Sequence, residues 1–248
     1  MDRLLRYLVL SDIHANLEAL DTVLDAAGAV DHVLALGDFI GYGADPNAVI
    51  ARIRALPAVT VIRGNHDKVG VGLESSEGFN YLARHAIAWT ASALSTESRD
   101  WVAALPQGPL GVSAEVEICH GAPFDEDVYV FDDLDAMRAL RASSHPLCLF
   151  GHTHVPTAFR LETSLRVIGP PRGERFTIKL DGPGKYLVNC GAVGQPRDGD
   201  PRAAFGLLDT DAHVLEIRRV AYNVAAAQAK IIAAGLPEVL GQRLAAGR

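Results

Sequence analysis

"YLVLSDIHANLEALDTVLDAAGAVDHVLALGD", residues 7–38, decides the fold of this chain. It opens on a short β-prone run, YLVL (7–10), and reaches a second, HVLAL (32–36), near its end. Between them NLEALDTVLDAAG (16–28) puts Leu17, Leu20, Val23, Leu24 and Ala27 on one helical face and stops at Gly28. Downstream, DPNAVIARIRAL (45–56) has Asp45 as its N-cap, Pro46 at the first helical position and Pro57 just past its end, and VTVI (59–62) is a third strand. Three strands alternating with two helices predict a parallel sheet with right-handed crossovers.

The rest of the chain adds helices and a strand-rich half. Residues 79–105 read as a helical pair, with Leu82, Ala86, Trp89 and Ala93 on one face and a stop at Leu105-Pro106; Trp89 and Trp101 belong to its core. Eight further strands are expected, at 116–119, 147–150, 157–161, 164–168, 175–180, 186–190, 203–210 and 214–220, with helices at 134–142 and 224–235, the latter closing the chain. No internal repeat or long linker divides it. The expectation is therefore an α/β protein whose residues 1–248 form a single domain of two packed sheets with flanking helices.

Composition excludes several classes. With 49% hydrophobic and 21% charged residues the chain folds, and a formal net charge of -7 argues against a general nucleic-acid binder. No apolar run reaches the ~18–20 residues of a membrane span, and the N-terminus lacks a secretory pattern. Cys119, Cys148 and Cys190 are odd in number and without CxxC spacing, so they are expected to be buried thiols of a cytoplasmic protein.

Five apolar runs end on side chains able to hold a metal. LVLSDIH ends at Asp12 and His14, VLALGD at Asp38, VIRGNHD at Asn65, His66 and Asp67, VEICHG at His120, and LCLFGHTH at His152 and His154. Five of the nine histidines stand in these places, and only His32, His85, His145 and His213 do not. Ligands of open α/β sheets bind at the carboxyl ends of strands, so these ends are expected to converge. Gly37, Gly64 and Gly151 each precede a candidate ligand, where the backbone must turn in a crowded place. Imidazoles, carboxylates and one amide suit divalent transition ions such as Mn, Fe, Zn, Co or Ni better than calcium or a thiolate zinc site. Asp12, His14, Asp38, Asn65, His120, His152 and His154 are too many for one tetrahedral ion and a natural set for two that share a carboxylate. Two ions about 3.5–4 Å apart polarise a phosphoryl oxygen and hold a deprotonated water for in-line attack.

The blocks DIH, GD, GNHD, a lone strand-end His and GHTH, in this order over residues 12–154, resemble the calcineurin-like metallophosphoesterase superfamily. ALGDFIGYGADP, IRGNHD and GHTHVP look like its compact bacterial phosphodiesterase-type members, and VNCGAVGQPRDGDPRAAF (188–205) extends the likeness. The resemblance implies a four-layer αββα sandwich of two mixed β-sheets flanked by helices. It implies one ion on Asp12, His14 and His154, a second on Asn65, His120 and His152, Asp38 bridging them, and manganese as the first choice of metal. His66 would protonate the leaving oxygen, Asp67 would orient that imidazole, and Arg63 would bind a phosphate oxygen. The chain departs from the Ser/Thr protein phosphatases in reading FIGYG after GD instead of carrying DRG, which puts a protein substrate in doubt.

The implied function is hydrolysis of a small phosphodiester, with nucleotide polyphosphates or phosphomonoesters, phosphoproteins included, as the alternative. A non-catalytic scaffold is disfavoured because His66 and all seven ligands are kept. Asn16 reads as a helix cap ahead of a role behind the ligands, and Tyr42 as either a substrate contact or a packing residue. Arg197 and Arg202 read as a solvated loop balanced by Asp198 and Asp200, and FDEDVYVFDD (124–133) as a solvated face.

Overall fold

The computed structural model describes residues 5–169, 171 and 173–248. Strand β1 (Arg6–Leu10) is buried along almost its whole length, and its alternation sets up the layers. Tyr7 and Val9 face one core, whereas Leu8 and Leu10 face another, as a period of two demands. Helices α1 (Leu17–Ala27) and α2 (Pro46–Arg54) cover Leu8 and Leu10 with Ala19, Leu20, Val23, Ile50 and Ile53. Asn16 caps α1 by accepting the Ala19 N–H at 3.1 Å, whereas Asp45 stands at the N-cap of α2 without a capping bond and pairs with Lys230 at 2.7 Å.

Beyond β2 (His32–Ala35) and β3 (Val59–Val61) the chain forms α3 (Asn65–Gly70), then the expected pair α4 (Tyr81–Ala93) and α5 (Thr96–Ala103). Next come β4 (Leu110–Gly111), β5 (Val116–Ile118), α6 (Asp133–Ala142), β6 (Leu147–Phe150), β7 (Thr157–Leu161), β8 (Leu165–Val167), β9 (Arg175–Lys179) and β10 (Lys185–Asn189). The chain ends with β11 (Ala203–Asp209), β12 (Val214–Val220), α7 (Val224–Ala233) and α8 (Glu238–Ala246).

Two six-stranded mixed sheets result, in the orders β3-β2-β1-β11-β12-β9 and β4-β5-β6-β10-β7-β8. In the first, β1, β2 and β3 run parallel; in the second, β5, β6 and β10 do. Between the sheets lie Tyr7, Val9, Leu34, Leu36 and Ile62 from one side and Ile118, Leu147, Leu149 and Val188 from the other. On the far face of the second sheet, Cys148 and Phe150 meet Ala136, Ala139 and Leu140 of α6. Helix, sheet, sheet and helix are thus the four layers. Among the described residues no helix is long and apolar enough to cross a membrane.

Four elements go beyond the expectation, among them a 3-10 turn at Ser76–Gly78. Helix α3 starts inside GNHD, β4 is two residues long, and α8 follows the helix expected to close the chain. Gly241 lies mid-helix in α8 and weakens its signal, yet Leu240 and Leu244 bury against Ala227 and Ile231 of α7.

The loops leaving the carboxyl ends of β1 and β2 stay laddered past the strands, through Asp12 N–H to Gly37 O (3.1 Å), His14 N–H to Asp38 O (2.9 Å) and Ala15 N–H to Phe39 O (2.8 Å). Closeness here demands glycine: a methyl on Gly64 would strike the Asp38 carboxylate and backbone, and one on Gly151 would strike the Ser11 hydroxyl. We expect Gly64→Ala to lower stability by about 1–3 kcal/mol, the usual cost of overpacking. Gly78→Ala, where a methyl meets nothing within 4 Å, should leave the urea midpoint nearly unchanged and serves as the control.

Candidate metal centre

Asp12, His14, Asp38, His152 and His154 all hold left-handed backbone conformations, with φ between 49° and 67°. Such a conformation costs a non-glycine residue roughly 1–2 kcal/mol. Among the described residues only Ala15, Tyr42 and His213 share it outside glycine, and two of those three flank the same loops. Backbone strain concentrated on candidate ligands points to a site that the surrounding fold enforces.

These turns aim their side chains at one place. One potential ligand atom from each of Asp12, His14, Asp38 and His154 lies within 4.8 Å of the others, and Asp38, His120 and His152 form a second such group. Asp38 belongs to both: its Oδ2 is 3.5 Å from His14 Nε2 and 3.4 Å from His120 Nε2. Asn65 Oδ1 is 3.1 Å from His120 Nε2, and His154 Nε2 is 3.4 Å from Asp12 Oδ1. All seven residues are buried.

The ring tautomers show that this donor set fits a metal. His14 Nδ1 lies 3.0 Å from Ile40 O, His120 Nδ1 2.8 Å from Leu36 O, and His154 Nδ1 2.6 Å from Gln195 O, so each ring donates its Nδ1 proton to a carbonyl. In the neutral rings of His14 and His154 that bond commits the sole proton. Their Nε2 lone pairs then face each other across 3.1 Å with no hydrogen between them. A cation between the lone pairs turns this repulsion into two bonds. His152 uses the other tautomer: Nε2 donates to Asp127 O at 3.1 Å and Nδ1 keeps the lone pair.

Electrostatics agree. Burial pushes the pKa of His14 down to about 4 and that of His152 to about 3, and holds His154 well below the imidazole range, so all three are neutral and ready to ligate. Burial also depresses His120, but the charge of Asp38 and its hydrogen bond outweigh this and lift it to about 10. Without a metal, the proton on His120 is the main positive charge facing Asp38. Burial raises Asp12 to about 6.

Two expected site residues have partners other than the ones the sequence suggested. Asp67 does not touch the His66 ring: Oδ2 accepts the Asp38 and Gly64 N–H groups (2.8 and 2.9 Å), and Oδ1 those of Phe39 and Ile40 (2.9 and 3.3 Å). Four amides saturate the carboxylate, which therefore ties the Asp38 turn to the Gly64 turn. Arg63 turns its guanidinium to Glu126, which Nε and Nη2 hold at 3.2 and 2.9 Å, and Nη2 also reaches Gln107 at 3.0 Å. The acidic stretch 124–133 is likewise more than a solvated face. Glu126 is buried, Lys68 beneath it pairs with Glu126 (3.2 Å), Asp127 (2.6 Å) and Glu74 (2.8 Å), and Tyr129 stacks on His152 at 3.7 Å.

His66 is buried beside the cluster, its ring 4.9 Å from that of His14 and 4.6 Å from those of Tyr42 and Phe79. Its Nδ1 has no hydrogen-bond partner, and burial pushes its pKa down to about 3. Sequence reasoning missed Lys68, Glu126 and Tyr129, and also Asn189, whose amide braces Gly151 O at 2.7 Å and Thr153 Oγ1 at 3.0 Å.

The calcineurin-like phosphoesterase superfamily domain matches residues 5–213. An uncharacterized protein of Methanocaldococcus jannaschii is 36% identical over 250 residues, 97% of each chain. The crystal structure of a metallophosphoesterase from Sphaerobacter thermophilus superposes with a TM-score of 0.87 at 37% identity, covering 99% of this chain and 100% of that one. A hypothetical protein from Pyrococcus horikoshii shares the fold with a TM-score of 0.78 at 20% identity, over 98% of both chains.

The buried imidazoles give the metal-free protein a definite pH response. His14, His66, His152 and His154 bind protons less readily folded than unfolded, so they withdraw stability as pH falls from about 6.5 toward 4. His120, raised to about 10, and Asp12 and Asp67, raised by burial to about 6 and 7, bind protons more readily folded than unfolded and oppose the trend, as three groups against four. The urea midpoint of chelator-treated protein should be lower at pH 5 than at pH 7. An equal or higher midpoint at pH 5 would remove the neutral-imidazole description.

Proposed function

The chain belongs to the calcineurin-like phosphoesterase superfamily, and on that footing we propose that it hydrolyses small phosphodiesters with two divalent ions, manganese first among them. Asp38 carries this reading, because its carboxylate is common to both ligand groups. Asp12, His14 and His154 would hold the first ion and Asn65, His120 and His152 the second, with Asp38 between them. Such ions supply Lewis-acid polarisation of a phosphoryl oxygen and lower the pKa of water.

The protein's own residues do the rest. Carbonyls at 36, 40 and 195 fix three rings with their lone pairs inward. His66, whose Nδ1 lies against Gly41 with no hydrogen-bond partner among the described residues, would face the leaving oxygen through its opposite nitrogen, Nε2. The ring is neutral in the free protein; a bound phosphate anion raises its proton affinity so that it takes a second proton from solvent, and the imidazolium then gives its Nε2 proton to the leaving oxygen and returns to neutral. A diester is favoured because the arginine beside GNH, which would serve a protein phosphatase, is already occupied by Glu126. The protein is further proposed to act as one domain and, with three buried thiols, in the cytoplasm.

The test compares bis(p-nitrophenyl) phosphate with p-nitrophenyl phosphate, using chelator-treated protein with and without manganese. Activity should return with manganese and favour the diester. Asp38→Asn should lose at least the roughly 10–100-fold that removing an outer partner of a metal ligand costs. His66→Gln should bind manganese normally and lose about 10²–10⁴-fold in kcat. Preference for the monoester would make the protein a phosphomonoesterase, and bound manganese without cleavage of either compound would favour a narrower substrate or the scaffold.

A further inference from the structure

The loop between β10 and β11 carries two arginines, and its carboxylates serve only one of them. Asp200 takes Arg202 through Nη2 at 2.6 Å and Nε at 2.9 Å, and Asp198 pairs with Arg219. Arg197 is left over. Among the described residues no carboxylate lies within 4.0 Å of its guanidinium; Nη2 donates to Gln195 Oε1 at 2.9 Å, and the buried Nε has no partner. The expectation of a self-balanced loop thus holds for Arg202 and fails for Arg197.

Its position points to a use. The Arg197 backbone N–H donates to His154 O at 3.3 Å, and the guanidinium lies over the Tyr42 ring, 5.7 Å from its centroid. Tyr42 in turn touches His14 at 4.8 Å and His66 at 4.6 Å between ring centres. The charge therefore sits one aromatic ring away from a metal ligand and from the proton donor. Arg243 of α8 lies 6.0 Å from the same ring and donates its Nε to Arg248 O at 3.0 Å. Two guanidinium groups beside one tyrosine repel each other, and an anion held there offsets that cost.

We propose that Arg197 is a substrate-binding residue that takes a non-bridging phosphoryl oxygen, with Tyr42 as its platform and Arg243 as the second cation of the same wall. This rests on the phosphoesterase reading and fills the role that Arg63, locked onto Glu126, does not. A planar fork suits two phosphoryl oxygens, whereas a lysine would offer only a point charge.

The experiment is calorimetric titration of inorganic phosphate into the manganese-loaded full chain, with manganese affinity measured separately. Arg197→Gln should bind phosphate roughly 10- to 100-fold more weakly, Arg197→Lys should fall in between, and Arg202→Gln should match the wild type. Manganese affinity should be unchanged in all of them, and in hydrolysis Arg197→Gln should raise KM more than it lowers kcat. Should Arg197→Gln fail to fold, Arg197→Lys carries the comparison. Wild-type phosphate affinity in the variants, or equal weakening in Arg202→Gln, overturns the proposal while leaving manganese-dependent hydrolysis intact. Arg197-dependent phosphate binding in a protein that cleaves no phosphoester supports the subsite and counts against the hydrolase reading.

Discussion

Asp12 and Asp38 are buried carboxylates, 0% and 1% exposed, and among the described residues neither has a lysine or arginine within ion-pair distance. Burying a charge without a partner is costly, so something positive must face them. Among the described residues imidazoles are the cationic candidates within ion-pair distance, and two of them point lone pairs at each other. The constraint that organises the molecule is thus a deficit of positive charge at the meeting point of five strand ends. A proton on His120 meets it in part, and divalent ions would meet it fully.

The rest of the structure keeps that deficit in place. Two parallel strand sets, one in each sheet, bring their carboxyl ends together across an apolar core. Five of the seven candidate ligands sit in left-handed turns that few side chains tolerate, and glycines give the carboxylates room. Asp67 gives its whole hydrogen-bonding capacity to four backbone amides, so that the Asp38 and Gly64 turns move as one piece. Lys68 and Arg63 anchor the acidic stretch whose Asp127 carbonyl selects the tautomer of His152. Charges that look like surface decoration in the sequence are therefore struts of the ligand shell.

The first sheet was legible because its strands and helices repeat with different periods and end on Gly28 and Pro57. The convergence of the candidate ligands was legible because a strand running into Asp, Asn or His five times has no packing explanation. What stayed hidden has a common cause. Carbonyls such as Ile40 O and Gln195 O carry no side-chain signal, and a carboxylate such as Asp67 looks the same whether it binds a ring or four amides. Arg63 and Arg197 were distinguishable only once their carboxylates were placed: Glu126, 63 residues from Arg63, closes one fork, and the acids nearest Arg197 turn to Arg202 and Arg219. Helix α8 escaped because Gly241 interrupts a short pattern whose burial depends on α7.

The most direct measurement is anomalous X-ray diffraction from crystals of the manganese-loaded protein. The account expects two peaks about 3.5–4 Å apart with the Asp38 carboxylate between them, one beside Asp12, His14 and His154 and the other beside Asn65, His120 and His152. A single peak, or two that do not share Asp38, would contradict it.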